Sequence, residues 1–145
     1  MKLKVAWIGK SKESAIQSLT DEYLKRIGRY IPVEGVSLKD EAALKNVGGR
    51  GVRPFLVLLD SRGKQLSSED LAKFLGNYQD HASLPLVFVV GPANGFSEEA
   101  RGSASLLLSL GKTTLAHELA RVVLLEQLYR AFTILKGHPY HLGHL

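Results

Sequence analysis

Residues 119–135 constrain the fold more than any other stretch of this chain. Placed on a helix at about 100° per residue, their apolar side chains point to nearly every side of the axis. The polar exceptions fall on two opposed lines, His117 with Arg121, and Glu126 with Arg130 and Thr133. A helix that is apolar all round has to be buried all round. A chain of 145 residues is expected to form one domain, 1–145, whose own layers are too few to enclose such a helix. The expectation is therefore a homodimer, with a second copy covering part of this surface.

Upstream, the apolar pattern alternates between strand and helix periods. Residues 3–8 read as a strand. Ile16, Leu19, Tyr23 and Ile27 then recur at helical spacing behind a cap at Ser11 or Ser14. Residues 33–38 read as a second strand, and residues 40–46 allow only a short helical segment before Gly48, Gly49 and Gly51 break it. Residues 55–59 are a continuous apolar run closed by Asp60, which suits a strand buried on both faces, with a turn at Ser61, Arg62 and Gly63. Ser67 and Asp70 predict a capped helix whose apolar face holds Leu71, Phe74, Leu75 and Tyr78. Residues 86–90 form another buried run ending at Gly91 and Pro92, Ser97 caps a short helix, and residues 105–110 are a last strand. This order predicts an α/β fold around a mainly parallel sheet flanked by helices.

Charge and composition narrow the function. Nineteen Lys and Arg against fourteen Asp and Glu give a net charge of +5, which draws a small domain toward polyanions, nucleic acid above all, and also serves solubility. With no cysteine there is no disulfide framework and no thiolate metal site. The first apolar run, residues 5–8, is too short for a signal-peptide core, and no later run approaches the ~20 residues of a membrane span. A soluble, cytoplasmic protein with no membrane partner is the expectation.

Several motifs then compete. Gly111, Lys112 and Thr113 look like the end of a phosphate-binding loop, but the glycine required five residues earlier is Leu106, so an NTPase is rejected. No G-x-G-x-x-G follows a strand, which removes the dinucleotide fingerprint. Gly91 and Gly95 lie at the carboxyl end of a buried strand, where open α/β sheets bind ligands. His138, His141 and His144 recur every third residue, but Pro139 and Gly143 exclude a regular helix and no further ligand completes a metal site, so none is expected. Tyr140 and His141 read instead as tail groups suited to acid–base chemistry or to stacking on a base. Glu126 and Arg130, at i and i+4, are expected to pair.

Taken in order, these residues resemble one family. Leu59 and Asp60 are followed by Gly63 and Lys64; then come Val90, Gly91, Pro92, Gly95 and Ser97. Leu110, Thr114, Leu115, His117 and Arg121 lead to Glu126, Tyr129, Arg130 and Ala131, and His138, Pro139, Tyr140 and His141 come last. The pattern is similar to that of the SPOUT-class ribosomal RNA large subunit methyltransferase H (RlmH) family, over nearly the full chain. The resemblance implies a homodimer and a C-terminal trefoil knot, which is an exception to unknotted topology. It implies S-adenosyl-L-methionine as cofactor, held by the backbone of three loops: at Leu59, at Gly91, and at Leu110, Gly111, Lys112, Thr113, Thr114 and Leu115. The implied reaction is methylation at N3 of a pseudouridine in 23S ribosomal RNA of the assembled ribosome. Its implied catalytic group is Tyr140 and His141, with His117, Arg121 and Arg130 nearby or structural.

The sequence departs from the family at Val90, where a glycine is usual, and at Ala116, where a proline is usual. It also departs at Leu142, where the family places Lys or Arg before ending, and here Gly143, His144 and Leu145 follow. That altered tail keeps a rival reading in play, a basic RNA- or ribosome-binding protein on the same fold without activity.

Overall fold

The computed structural model describes residues 1–142. Five strands form one sheet in the order β2-β1-β4-β3-β5: β1 (Leu3–Ile8), β2 (Val33–Leu38), β3 (Phe55–Gln65), β4 (Leu86–Val90) and β5 (Leu106–Ser109). Every pairing is parallel, so all five strands end at the same edge. The helices are α1 (Ser14–Ile27), α2 (Ser68–His81), α3 (Glu98–Ser103) and α4 (His117–Leu135), with short 3₁₀ segments at Glu41–Asn46 and Pro139–His141.

The period-2 alternation of the strands splits the core in two. Val5, Trp7, Val57, Phe88 and Val90 pack with Ile27, Leu75, Leu124, Leu128 and Phe132 under α1, α2 and α4. Ala6, Leu56, Leu58, Val87 and Val89 face the other way, onto Val47, Phe96 and Ala100. With apolar partners on both faces, β4 is buried at all five positions, as expected from its unbroken apolar run. α4 packs against both α1 and α2. Each of its fully buried leucines, Leu124, Leu125 and Leu128, contributes about 1.5–3 kcal/mol.

Local signals account for two of the helix starts. Ser67 Oγ accepts from the Asp70 amide at 3.0 Å and Ser97 Oγ from the Ala100 amide at 3.1 Å. α1 departs from expectation: its cap position is Glu13, with no side-chain cap bond, because Ser11 is engaged with Gln17 and Arg121. β3 also departs. The turn expected at Ser61–Gly63 is a kink inside a longer strand, since Leu108 of β5 pairs first with Leu59 and again with Lys64. At this kink the two chain segments nearly touch: a Cβ on Gly63 would stand 2.6 Å from the Leu107 carbonyl and 2.7 Å from the Leu108 nitrogen. Within the single chain, α4 is not covered all round, for Leu119 is 51% exposed and Leu135 38%.

Candidate functional site

At the carboxyl edge of the sheet, the kink in β3 and the loops after β4 and β5 border a cleft of about 220 Å³. Open α/β sheets place their ligands outside the carboxyl ends of the strands, as here. Its walls are Leu59, Asp60 and Ser61 from β3, Val90 to Ala93 and Gly95 after β4, and Leu108 to Gly111 with Thr113, Thr114 and Leu115 after β5. His117 and Ala120, from the first turn of α4, close it.

The last loop is shaped by its own hydroxyl. Ser109, buried, donates from Oγ to the Gly111 carbonyl at 3.0 Å and accepts from the Gly111 amide at 3.1 Å. This turns Gly111 to φ +126°, a conformation other residues rarely adopt, and leaves open space where a Cβ would project. A ligand can therefore lie directly on this main chain. At Gly91 space is limited from within the chain, because a Cβ there would strike the Phe96 ring at 2.8 Å.

Seven of the eight residues expected to hold a cofactor line this cleft, namely Leu59, Gly91, Leu110, Gly111, Thr113, Thr114 and Leu115; Lys112 does not. Asp60 is a wall residue outside the set expected to hold the cofactor. Its carboxylate, 8% exposed, accepts from the Arg62 amide at 2.8 Å and lies 3.6 Å from an Arg101 guanidinium nitrogen. Its position closing a buried strand was the signal that could have found it.

The residues expected to act on substrate divide into three places. His117 is on the cleft wall. Arg121, one turn on, is 2% exposed and turned inward: its guanidinium stacks on Trp7 at 4.2 Å and donates to Ser11 Oγ at 2.5 Å. Burial pushes its pKa down, with the negative charge of Glu118 opposing. Arg130, Tyr140 and His141 come together at the far end of α4, about 20 Å along the axis from His117 at 1.5 Å per residue.

That distal cluster is organised by Glu126. Its carboxylate accepts from Arg130 Nη2 at 2.7 Å and from the Tyr140 hydroxyl at 2.8 Å, so the expected i,i+4 pair is formed and extended into the tail. Arg130 also donates to His141 Nδ1 at 2.9 Å and lies over the Tyr140 ring at 5.0 Å. The Tyr140 ring packs edge-on against Tyr129, with centroids 4.7 Å apart. Burial, then the bond to Glu126, pushes the Tyr140 phenol well above the usual range, so at neutral pH it is a donor. Glu126 raises the pKa of Arg130, against the opposing effect of burial. Because arginine only donates, His141 Nδ1 must be the acceptor, which leaves the proton of the neutral ring on Nε2, 3.5 Å from Glu69. Leu142 is 76% exposed. His144 lies outside the described residues.

Over residues 1–141 the chain matches the family described as Predicted SPOUT methyltransferase. It is 58% identical over 146 residues to Ribosomal RNA large subunit methyltransferase H of Koribacter versatilis (strain Ellin345), covering 99% of this chain and 100% of that protein. The chain belongs to the SPOUT-class RlmH family. A second RlmH relative, from Geotalea daltonii (strain DSM 22248 / JCM 15807 / FRC-32), is 43% identical over 152 residues and covers 97% of this chain and 99% of its own length. The SPOUT fold is also seen in a solved structure described as a probable methylase family protein from Haemophilus influenzae Rd KW20. It superposes with a TM-score of 0.60 at 12% identity, over 99% of this chain and 71% of that one. At that identity the likeness speaks for the fold alone.

Proposed function

We propose that this chain methylates 23S ribosomal RNA from S-adenosyl-L-methionine, at N3 of a pseudouridine in the assembled ribosome, and does so as a cytoplasmic homodimer. The observation that carries the reading is a main-chain cleft at the carboxyl edge of the sheet, in a chain matched to a methyltransferase family over residues 1–141. The residues fit the cofactor. Leu59, Val90, Leu108 and Leu110 give apolar walls for an adenine, and the open side of Gly111 lets a ligand lie against the backbone. Asp60 and the loop amides supply polar partners. The bound cofactor supplies an electrophilic methyl group.

The chain's own residues have to position the base and relieve it of its N3 proton. His117 is the imidazole on the cleft wall among the described residues, and it is our candidate to take that proton. Tyr140 and His141 act by positioning, since the phenol stays protonated and Nδ1 of the imidazole is occupied by Arg130. In one chain they stand at the wrong end of α4 to reach the cleft. A second copy against the exposed Leu115 and Leu119 would supply its own tail, which is what supports the dimer. The trefoil knot belongs to the same reading, and the close passage of Gly63 across Leu107 and Leu108 is consistent with it. Among the described residues no helix is long and apolar enough to cross a membrane.

Calorimetry with S-adenosylhomocysteine tests the cofactor assignment: saturable binding is expected, and its absence removes the assignment. Light scattering tests the assembly, where a monomer at micromolar concentration contradicts the dimer.

A further inference from the structure

The loop between β1 and α1 is tied down more firmly than a simple connection needs. Gly9 donates its amide to the Leu38 carbonyl at 2.9 Å, and its carbonyl accepts from Ser37 Oγ at 2.7 Å. Ser11 Oγ accepts from Arg121 at 2.5 Å and donates to Gln17 at 3.0 Å. The Lys12 amide donates to Glu118 Oε1 at 2.8 Å. Two of these anchors, Glu118 and Arg121, come from the first turns of α4 and flank the residues His117 and Ala120 that close the cleft.

One anchor is expensive. Arg121 is buried with no carboxylate bonded to it, and its Nε has no hydrogen-bond partner among the described residues. A buried guanidinium is costly unless fully paired, and an apolar side chain would fill the space beside Trp7 at lower cost. What Arg121 fixes here is the Ser11 side chain and, with Glu118 holding the Lys12 amide, the path of the loop.

Lys10 and Lys12 make no ion pair among the described residues, and the Glu118 carboxylate beside them is already bonded to a main-chain amide. The loop that carries them adjoins the cleft: it follows β1, whose Trp7 pairs with the cleft-lining Val90, and its Lys12 amide bonds Glu118, the neighbour of His117 on the cleft wall. A rigid backbone carrying two unpaired ammonium groups next to a reaction cleft matches the charge of a nucleic-acid backbone, whose phosphates fix register without reading sequence.

We propose that the β1–α1 loop, clamped to α4 by Arg121 and Glu118, is an RNA-phosphate contact, with Lys10 and Lys12 as its two charges. The inference rests on the RNA reading above and adds the face on which the RNA backbone lies. Arg121 is in this account a positioning residue and touches neither cofactor nor base.

The test measures binding of the protein to assembled ribosomes prepared from a strain lacking this enzyme, across a salt series of roughly 50 to 200 mM KCl. Removing one lysine–phosphate pair lowers the slope of log affinity against log salt by about 1. The Lys10→Gln/Lys12→Gln double variant is therefore expected to lose about 2 from the slope and about tenfold in affinity at the low-salt end. Its affinity for S-adenosylhomocysteine is expected to stay that of the wild type. Lys25→Gln/Lys73→Gln, which removes the same charge from exposed helix positions, is expected to keep the wild-type slope. A double variant with an unchanged slope overturns the proposal while leaving the methyltransferase reading intact, and so does an equal fall in the control. A wild-type protein that does not bind the assembled ribosomes overturns both.

Discussion

The Tyr140 hydroxyl donates to Glu126 Oε2 at 2.8 Å, and this bond helps to tie the tail to the helix that closes the cleft. Glu126 thereby helps to fix the position of the Tyr140 ring. Because Arg130 shares the same carboxylate and holds His141, all three tail-end groups depend on it. Glu126→Ala is expected to lower methyl transfer by about 10²-fold, the usual cost of misplacing a positioned group, while sparing cofactor binding. Single-turnover rates with saturating cofactor, alongside calorimetry with S-adenosylhomocysteine, check it. Equal losses in both would make Glu126 structural only.

The same bond has a signature in alkali. The Tyr140 phenol is raised above the ordinary 10.0, first by burial and then by Glu126, and Tyr78 is raised by burial. A group with a raised folded pKa binds its proton more tightly in the folded state. Its contribution to stability is fully present below about pH 10 and is lost as pH climbs from there through the folded value. Tyr140→Phe is expected to reduce the alkaline fall in stability, measured by urea unfolding from about pH 9 upward, and to remove one late-titrating phenol from the ultraviolet absorbance titration.

Gly63 is held by space rather than by its φ angle. An alanine methyl there would press on the Leu107 and Leu108 backbone at 2.6 to 2.7 Å, and backbone yields less readily than a side-chain tip. Gly63→Ala is expected to cost about 1–3 kcal/mol, as overpacking does, with a matching drop in the urea midpoint.

If each cleft is completed by the partner's tail, two different defects should complement. Gly111→Val forces a branched side chain onto φ +126° and disables the cleft; Tyr140→Ala disables the tail. In a mixed dimer one cleft would still face one intact tail, so co-refolded variants are expected to regain methyl transfer that neither has alone. A site built within one chain would stay dead in the mixture.

Much of this was legible in the residues because the relevant forces are local. β4 could be read from its unbroken apolar run, and the caps at Ser67 and Ser97 from a side chain and an amide three residues apart. The cleft loops followed from where buried strands end. Pairings made across the fold were not legible. Nothing in the spacing of His117 and Arg121 says that one faces the cleft and the other stacks on Trp7, at the opposite end of the chain. Nor does helical periodicity show that Tyr140 folds back onto Glu126, since the chain has left the helix and returned through Gly137 at φ +70°. The turn expected at Ser61–Gly63 could not be told from a kink within β3 for the same reason, because the strand resumes only through the double pairing of Leu108.

The most direct measurement is nucleoside mass spectrometry of 23S ribosomal RNA after large subunits or whole ribosomes from a strain lacking this enzyme are incubated with the purified protein and S-adenosyl-L-methionine. The account expects 3-methylpseudouridine to appear in step with cofactor consumption. No methylated nucleoside, despite measurable cofactor and ribosome binding, would contradict it and favour a binding protein on the same fold, with the exposed Leu142 as the first place to seek the cause.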